Sequence, residues 1–182
     1  ILAAAPGLVV LDEAYQPFAL DTWMDALPAH DNLVVMRTVS KLGLAGIRIG
    51  YMAASPRWIA EFDKVRPPYN VSVLDEAAAE FALEYLDALQ AQCARIRDDR
   101  ERLRAALDAI PGVATFPSRA NFVLVRVAGA SAVAAGMRER GVLIKDVSRM
   151  HPLLADCLRL TVGTPDENAA MLAALRGALA GR

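Results

Sequence analysis

A chain of 182 residues, 55% hydrophobic and 23% charged, has ample material for a core and a solvated surface, enough for one domain or one and a half. Its formal net charge is -1 with acidic and basic residues interspersed, so nothing points to a nucleic-acid or membrane partner. With no signal peptide or membrane-length apolar run, and with Cys93 and Cys157 lacking metal or redox spacing, the expected setting is the reducing cytoplasm, with both thiols buried.

In chain order, Leu8 to Leu11 reads as a buried strand that ends in Asp12-Glu13-Ala14-Tyr15. Asp21 to Leu27 reads as a short helix stopped by Pro28, and the runs Asn32 to Thr38 and Ile47 to Ala54 read as the second and third strands. Ser55-Pro56 is a helix start, a hydroxyl cap followed by proline at the first helical position. That helix extends to about Val65, where Pro67-Pro68 end it, and Pro68-Tyr69-Asn70 forms an extended link. Trp23 and Trp58 read as helix-packing anchors, and His30 as a loop residue without a partner.

From Val73 to Ala109 comes a nearly unbroken helical pattern, with apolar residues at Phe81, Leu86, Leu89, Ile96, Leu103 and Leu107. A helix of that length suits a connector between domains better than one core. Its charge run, Arg95 to Arg104, reads as a solvated face with i, i+4 pairing. Beyond Pro111-Gly112 a compact α/β unit follows. Its strands are read at Val113 to Phe116, Phe122 to Val127, Val142 to Asp146 and Cys157 to Val162. Its helices are read at Ser131 to Arg140 and Pro165 to Leu179, the latter opened by a capping box of Thr164 and Glu167.

The chemistry centres on Lys41, which lies between two apolar runs among Thr38, Ser40, Gly43, Gly46 and Arg48. Partial desolvation and a nearby cation both lower an amine's pKa and make it nucleophilic. The hydroxyls, the glycines and the forked guanidinium of Arg48 make an anion cradle fit for a phosphate. An activated amine beside a phosphate cradle is what pyridoxal phosphate needs; the other reading is an ordinary loop lysine at a strand end. Asp12, at the carboxyl edge of a strand, can hold a protonated pyridine nitrogen, and Tyr15 can donate to a ring hydroxyl.

Asp12-Glu13-Ala14-Tyr15, Thr38-Val39-Ser40-Lys41 and Leu44-Ala45-Gly46-Ile47-Arg48-Ile49-Gly50-Tyr51, in this order and spacing, resemble the cofactor site of fold-type I aminotransferases, and most closely the histidinol-phosphate aminotransferases. The resemblance implies an α/β fold in three parts. Residues 1–72 would be the remaining strands of the large cofactor-binding domain, 73–110 a long connecting helix, and 111–182 the small carboxyl-terminal domain. It aligns the chain with roughly the carboxyl-terminal half of the family, so a fragment inactive by itself is expected.

The resemblance also implies the roles. Lys41 is the catalytic lysine; Asp12, Tyr15, Thr38, Ser40, Lys41 and Arg48 bind pyridoxal 5'-phosphate; Arg159 holds the substrate α-carboxylate, with Asn121 near it and Tyr69 and Asn70 at the mouth of the site. Taken as residues alone, Arg159 reads as a buried arginine in an apolar strand that needs an anionic partner, and Asn121 as a turn cap. Lys145 stands where relatives carry an arginine for the substrate's own phosphate; it keeps the charge and loses the fork, and Arg149 and His151 lie close enough in sequence to share that task. The implied reaction exchanges an amino group between histidinol phosphate and 2-oxoglutarate, with amino and keto acids as the small-molecule partners and a homodimer at full length. The alternatives share the fold: another fold-type I aminotransferase or a phospho-amino-acid decarboxylase, and the aminotransferase-like effector-sensing domain of a transcription regulator.

Overall fold

The computed structural model describes residues 1–181 and divides into two units between Cys93 and Ala94. In the first, β1 (Val9–Asp12) and β2 (Leu33–Thr38) run parallel, with Val9 opposite Leu33 and Asp12 opposite Met36. A parallel pair cannot be joined by a hairpin and needs a crossover. Residues 13–32 supply it through a short helix, α1 (Gln16–Ala19), and a 3-10 helix at Met24–Ala29. The expected α-helix over Asp21 to Leu27 is therefore this 3-10 segment, which carries Pro28 inside it. Trp23, expected as a packing anchor, is half exposed and contributes its backbone instead.

The chain then returns. β3 (Gly50–Ala54) runs antiparallel to β2, from Thr38 opposite Gly50 to Val34 opposite Ala54. It starts later than expected because Ala45–Ile47 is a 3-10 turn and Arg48 adopts a left-handed backbone (φ 51) that redirects the chain into the strand. Gly50 is required where β3 begins, since a Cβ there would stand 2.8 Å from the Arg37 carbonyl oxygen.

α2 (Pro56–Asp63) follows with proline in its first turn, but the Ser55 hydroxyl makes no capping bond and lies buried without a partner among the described residues. Trp58 does anchor: its indole N–H donates to the Asp31 carbonyl at 2.9 Å. The long helix is broken. α3 (Val73–Glu84) ends at Tyr85, which leaves helical geometry (φ -105, ψ 26), and α4 (Leu86–Asp108) begins directly after it. The first unit buries Phe18, Leu33, Val34, Val35, Val39 and Cys93.

The second unit is a four-stranded antiparallel sheet of order β4-β5-β7-β6, formed by β4 (Val113–Thr115), β5 (Phe122–Val127), β6 (Lys145–Asp146) and β7 (Cys157–Thr161). β6 is two residues long, so Val142–Ile144 falls outside the strand expected there. α5 (Ala130–Glu139) and α6 (Pro165–Ala180) complete it. Alternate residues of a strand face one side. Val123, Val125, Leu158 and Leu160 pack with Leu107 and Leu175 in a closed core. The capping box stands as read: the Thr164 hydroxyl accepts from the Glu167 N–H, and the Glu167 carboxylate accepts from the Thr164 N–H.

The charge run on α4 is not all solvated. Asp99 and Arg100 are buried; Arg102 pairs with Asp99 at i, i+3, and Arg100 reaches inward to the Ala120 carbonyl at 3.0 Å. Both cysteines are buried thiols, not joined in a disulfide. Among the described residues, no helix is long and apolar enough to cross a membrane.

Candidate active site

Because β1 and β2 are parallel, their carboxyl ends lie side by side, and the residues that follow each strand are neighbours. Asp12 closes β1, exposed, with one carboxylate oxygen accepting the Ala14 N–H at 2.8 Å. Tyr15 stands at the start of α1, and the Lys41 ammonium lies 5.0 Å from the centroid of its ring, a cation–π distance. Two of the expected residues, from different strand ends, are thus brought into contact.

Lys41 sits on a 3-10 turn, Val39–Leu42, that follows β2 directly. Thr38 caps that turn by accepting the Ser40 N–H at 3.0 Å. Its hydroxyl oxygen is also 2.8 Å from the Ser40 hydroxyl and 3.1 Å from the Ile49 carbonyl. With a single proton, Thr38 serves these two acceptors in alternation. Gly43, with φ 98, ends the turn in the left-handed conformation that suits glycine. Arg48 is exposed, with a long hydrogen bond of 3.5 Å from Nη1 to the Ala45 carbonyl. Beneath Lys41, the Cys93 thiol approaches its carbonyl at 4.0 Å.

Two residues that carry no assigned role in the sequence reading hold this corner. Glu13 accepts from the Trp23 N–H (2.6 Å), the Thr22 hydroxyl (3.0 Å), and Nε and Nη2 of Arg37 (3.0 and 2.9 Å). Burial lowers the Arg37 pKa, but hydrogen bonds to Glu13 and Tyr51 outweigh it and raise the guanidinium above its ordinary value. Charged residues immediately after one parallel strand and near the end of its neighbour were the available signal.

In the second unit, Lys145 is opposite Arg159, and Arg159 opposite Leu124, so these three form one row on the outer face of the sheet. Arg159 is therefore exposed, not buried; its guanidinium stacks over Phe122 at 5.3 Å and forms no ion pair among the described residues. Lys145 and Arg159 line one groove of about 840 Å³ together with Thr161, Gly163, Glu167 and Asn168.

Asn121 and Arg149 do not line that groove. Asn121 gives its carbonyl to the Val162 N–H, and the turn before β5 is organised by the Ser118 hydroxyl, which accepts the Ala120 N–H and donates to the Phe122 carbonyl. Arg149 is near Asp146, whose carboxyl is held below the usual range by hydrogen bonds from Ser131 and Ser148 and, less, by the Arg149 charge. His151 caps a 3-10 turn, its Nδ1 accepting the Leu153 N–H. Tyr69 is almost fully exposed with a left-handed backbone (φ 58).

Residues 1–175 match the family described as aminotransferase class I and II. The chain belongs to that family. Over its whole length this aminotransferase chain is 58% identical to histidinol-phosphate aminotransferase 1 of Burkholderia lata, of which the match covers 51%. It is similar in fold to the histidinol-phosphate aminotransferase from Clostridium acetobutylicum, with a TM-score of 0.90 at 23% identity over 100% of this chain and 57% of that one. The enzyme of the same name from Sinorhizobium meliloti, solved in complex with pyridoxal-5'-phosphate, gives 0.80 at 31% identity over 96% and 49%. The chain spans about half the length of the curated relatives it matches. The α/β fold expected from the sequence is thus the aminotransferase fold over the part matched.

Proposed function

We propose that this chain carries the lysine and part of the binding site of a pyridoxal-phosphate-dependent aminotransferase that acts on histidinol phosphate and 2-oxoglutarate. The observation that carries the reading is the Lys41 ammonium over the Tyr15 ring, beside the parallel strand end that bears Asp12. The high identity to relatives named histidinol-phosphate aminotransferase supports the substrate.

The donor set suits the cofactor. Thr38 and Ser40 offer hydroxyls that are bonded to each other, and Arg48 offers an exposed guanidinium; these would hold the phosphate. Asp12 has a second carboxylate oxygen without a donor among the described residues, and it would pair with a protonated ring nitrogen. Tyr15 would donate to the ring hydroxyl. Lys41 Nζ would bond the aldehyde. Bound there, the cofactor supplies a sink for the electron pair left when a bond to the substrate α-carbon breaks. Lys41 Nζ would take the proton from that carbon as general base and return it as general acid.

Arg159 would fix the carboxylate of glutamate or its keto partner, with Lys145 in the same groove as the cation for a substrate phosphate. Asn121 and Arg149 would act from the adjoining loops. The same reading makes the full-length protein a cytoplasmic homodimer, in keeping with the exposed Val73, Leu74 and Phe81 of α3.

Intact mass after pyridoxal phosphate and borohydride tests the assignment. A single adduct in the wild-type chain that is lost in Lys41→Ala is the expected result. An adduct that persists in Lys41→Ala would refute the role of Lys41.

A further inference from the structure

We propose that the Glu13–Arg37 pair is the positioning element of this corner, holding the Asp12 strand end and the Lys41 turn at a fixed separation. The proposal rests on the functional reading above for its catalytic consequence, and on geometry for itself. Glu13 directly follows Asp12, and Arg37 directly precedes Thr38.

The pair is partly shielded from water: the Glu13 side chain is 7% exposed and that of Arg37 21%. Both Arg37 N–H groups converge on Oε2, while Oε1 takes the backbone of Trp23. Thr22 closes the network by donating to Glu13 and accepting from Arg37 Nη2 at 2.7 Å and from the Met24 N–H at 3.0 Å. One carboxylate therefore ties the crossover after β1 to the carboxyl end of β2.

The backbone ladder alone does not do this. Its last rung here is the Glu13 N–H to the Met36 carbonyl, and among the described residues β1 pairs with β2 alone. A buried ion pair contributes little net stability compared with apolar residues of the same volume, because desolvation offsets its Coulomb gain. What it adds is direction. Alternation along β2 puts Arg37 on the face opposite Met36 and Thr38, so the pair braces the strand ends from behind and leaves the side of Asp12 and Thr38 open to a ligand.

The test is hydrogen exchange by mass spectrometry on the 182-residue chain without cofactor, then absorbance titration with pyridoxal phosphate. In Glu13→Gln, exchange in peptides covering 12–18 and 38–43 is expected to rise about tenfold while peptides from β7 stay unchanged. Pyridoxal phosphate affinity is expected to fall by about tenfold, with a shifted pH midpoint of the bound cofactor's absorbance. The double variant Glu13→Gln/Arg37→Gln should be no worse than either single one, the mark of a coupled pair.

Should Glu13→Gln fail to fold, Arg37→Lys, which keeps the charge and loses the fork, reads the same quantities. Unchanged exchange in 38–43, exchange that rises uniformly, or, where the wild type binds pyridoxal phosphate, cofactor titrations identical to it would each overturn the positioning role. Local exchange that rises as expected in a chain whose wild type takes up no pyridoxal phosphate would uphold the positioning role and sink the cofactor reading instead.

Discussion

Each unit sets a small sheet against helices, yet the two sheets are finished differently. The four-stranded sheet hides Val123, Val125, Leu158 and Leu160 completely, whereas the three-stranded sheet shows Val10, Met36 and Met52 to solvent. Polar ties take up part of the difference in the first unit: Glu13 with Arg37 and Thr22, the Asn32 amide to the Leu2 and Gly7 carbonyls, and the Trp58 indole to the Asp31 carbonyl. Burial is non-directional and scales with area, while hydrogen bonds contribute little net energy and specify geometry. Each sheet thus has a closed face, Leu33 and Val35 in the first unit and Val123, Val125, Leu158 and Leu160 in the second, and an open one, and the proposed reactive groups lie in the first unit.

The largest expected effect breaks or confirms that contrast. Leu160→Ala empties a fully buried site and should cost about 2–5 kcal/mol in urea unfolding, whereas Met36→Ala, on the open face, should change stability by about 0.5 kcal/mol or less. Equal losses would erase the distinction. Gly50→Ala comes next: its Cβ would meet the Arg37 carbonyl, a backbone atom, so a loss of about 1–3 kcal/mol is expected, read as faster exchange in the first unit alone.

Thr164→Ala removes the α6 cap and should lower stability by about 1 kcal/mol, a change confined to the second unit's melting transition. The smallest effect is a pH dependence. Asp146 has a folded pKa below its unfolded value, so its stabilisation is full above the ordinary aspartate range and is lost as pH falls through the lowered value. Denaturation midpoints of the second unit should therefore decline below about pH 4, and Asp146→Asn should flatten that decline.

The sequence was most legible where one local rule acted alone. The β-branched run of β2, the alternation of β5 and the Thr164–Glu167 box each specify their element without help from elsewhere. It was least legible where short segments competed. Asp21 to Leu27 is too short and too close to Pro28 to sustain an α-helix, so a 3-10 helix forms. Periodicity ran on through Tyr85 because the break there is a change of backbone angle that leaves the apolar pattern intact.

Arg159 misled by its neighbours. Leu158 and Leu160 are core residues, but a strand presents every second side chain to the other face, and that face is open. The motif residues Asp12, Tyr15, Thr38, Ser40 and Lys41 could be named from their order. Glu13 and Arg37 could not be given a role, because their partnership depends on the parallel pairing of two strands separated by a crossover.

The antiparallel return of β3 has a bearing on how this site tolerates change. Residues 39–49 form a loop whose ends are pinned, Thr38 opposite Gly50 and the Val39 N–H on the Ile49 carbonyl. Closing entropy grows only with the logarithm of loop length, so adding or deleting one residue there shifts the folding equilibrium by a small amount. The same edit would slide Lys41 or Arg48 along the chain relative to Tyr15 and Thr38. Variation in this segment is therefore thermodynamically cheap and, on the proposed reading of Lys41 and Arg48, chemically strict.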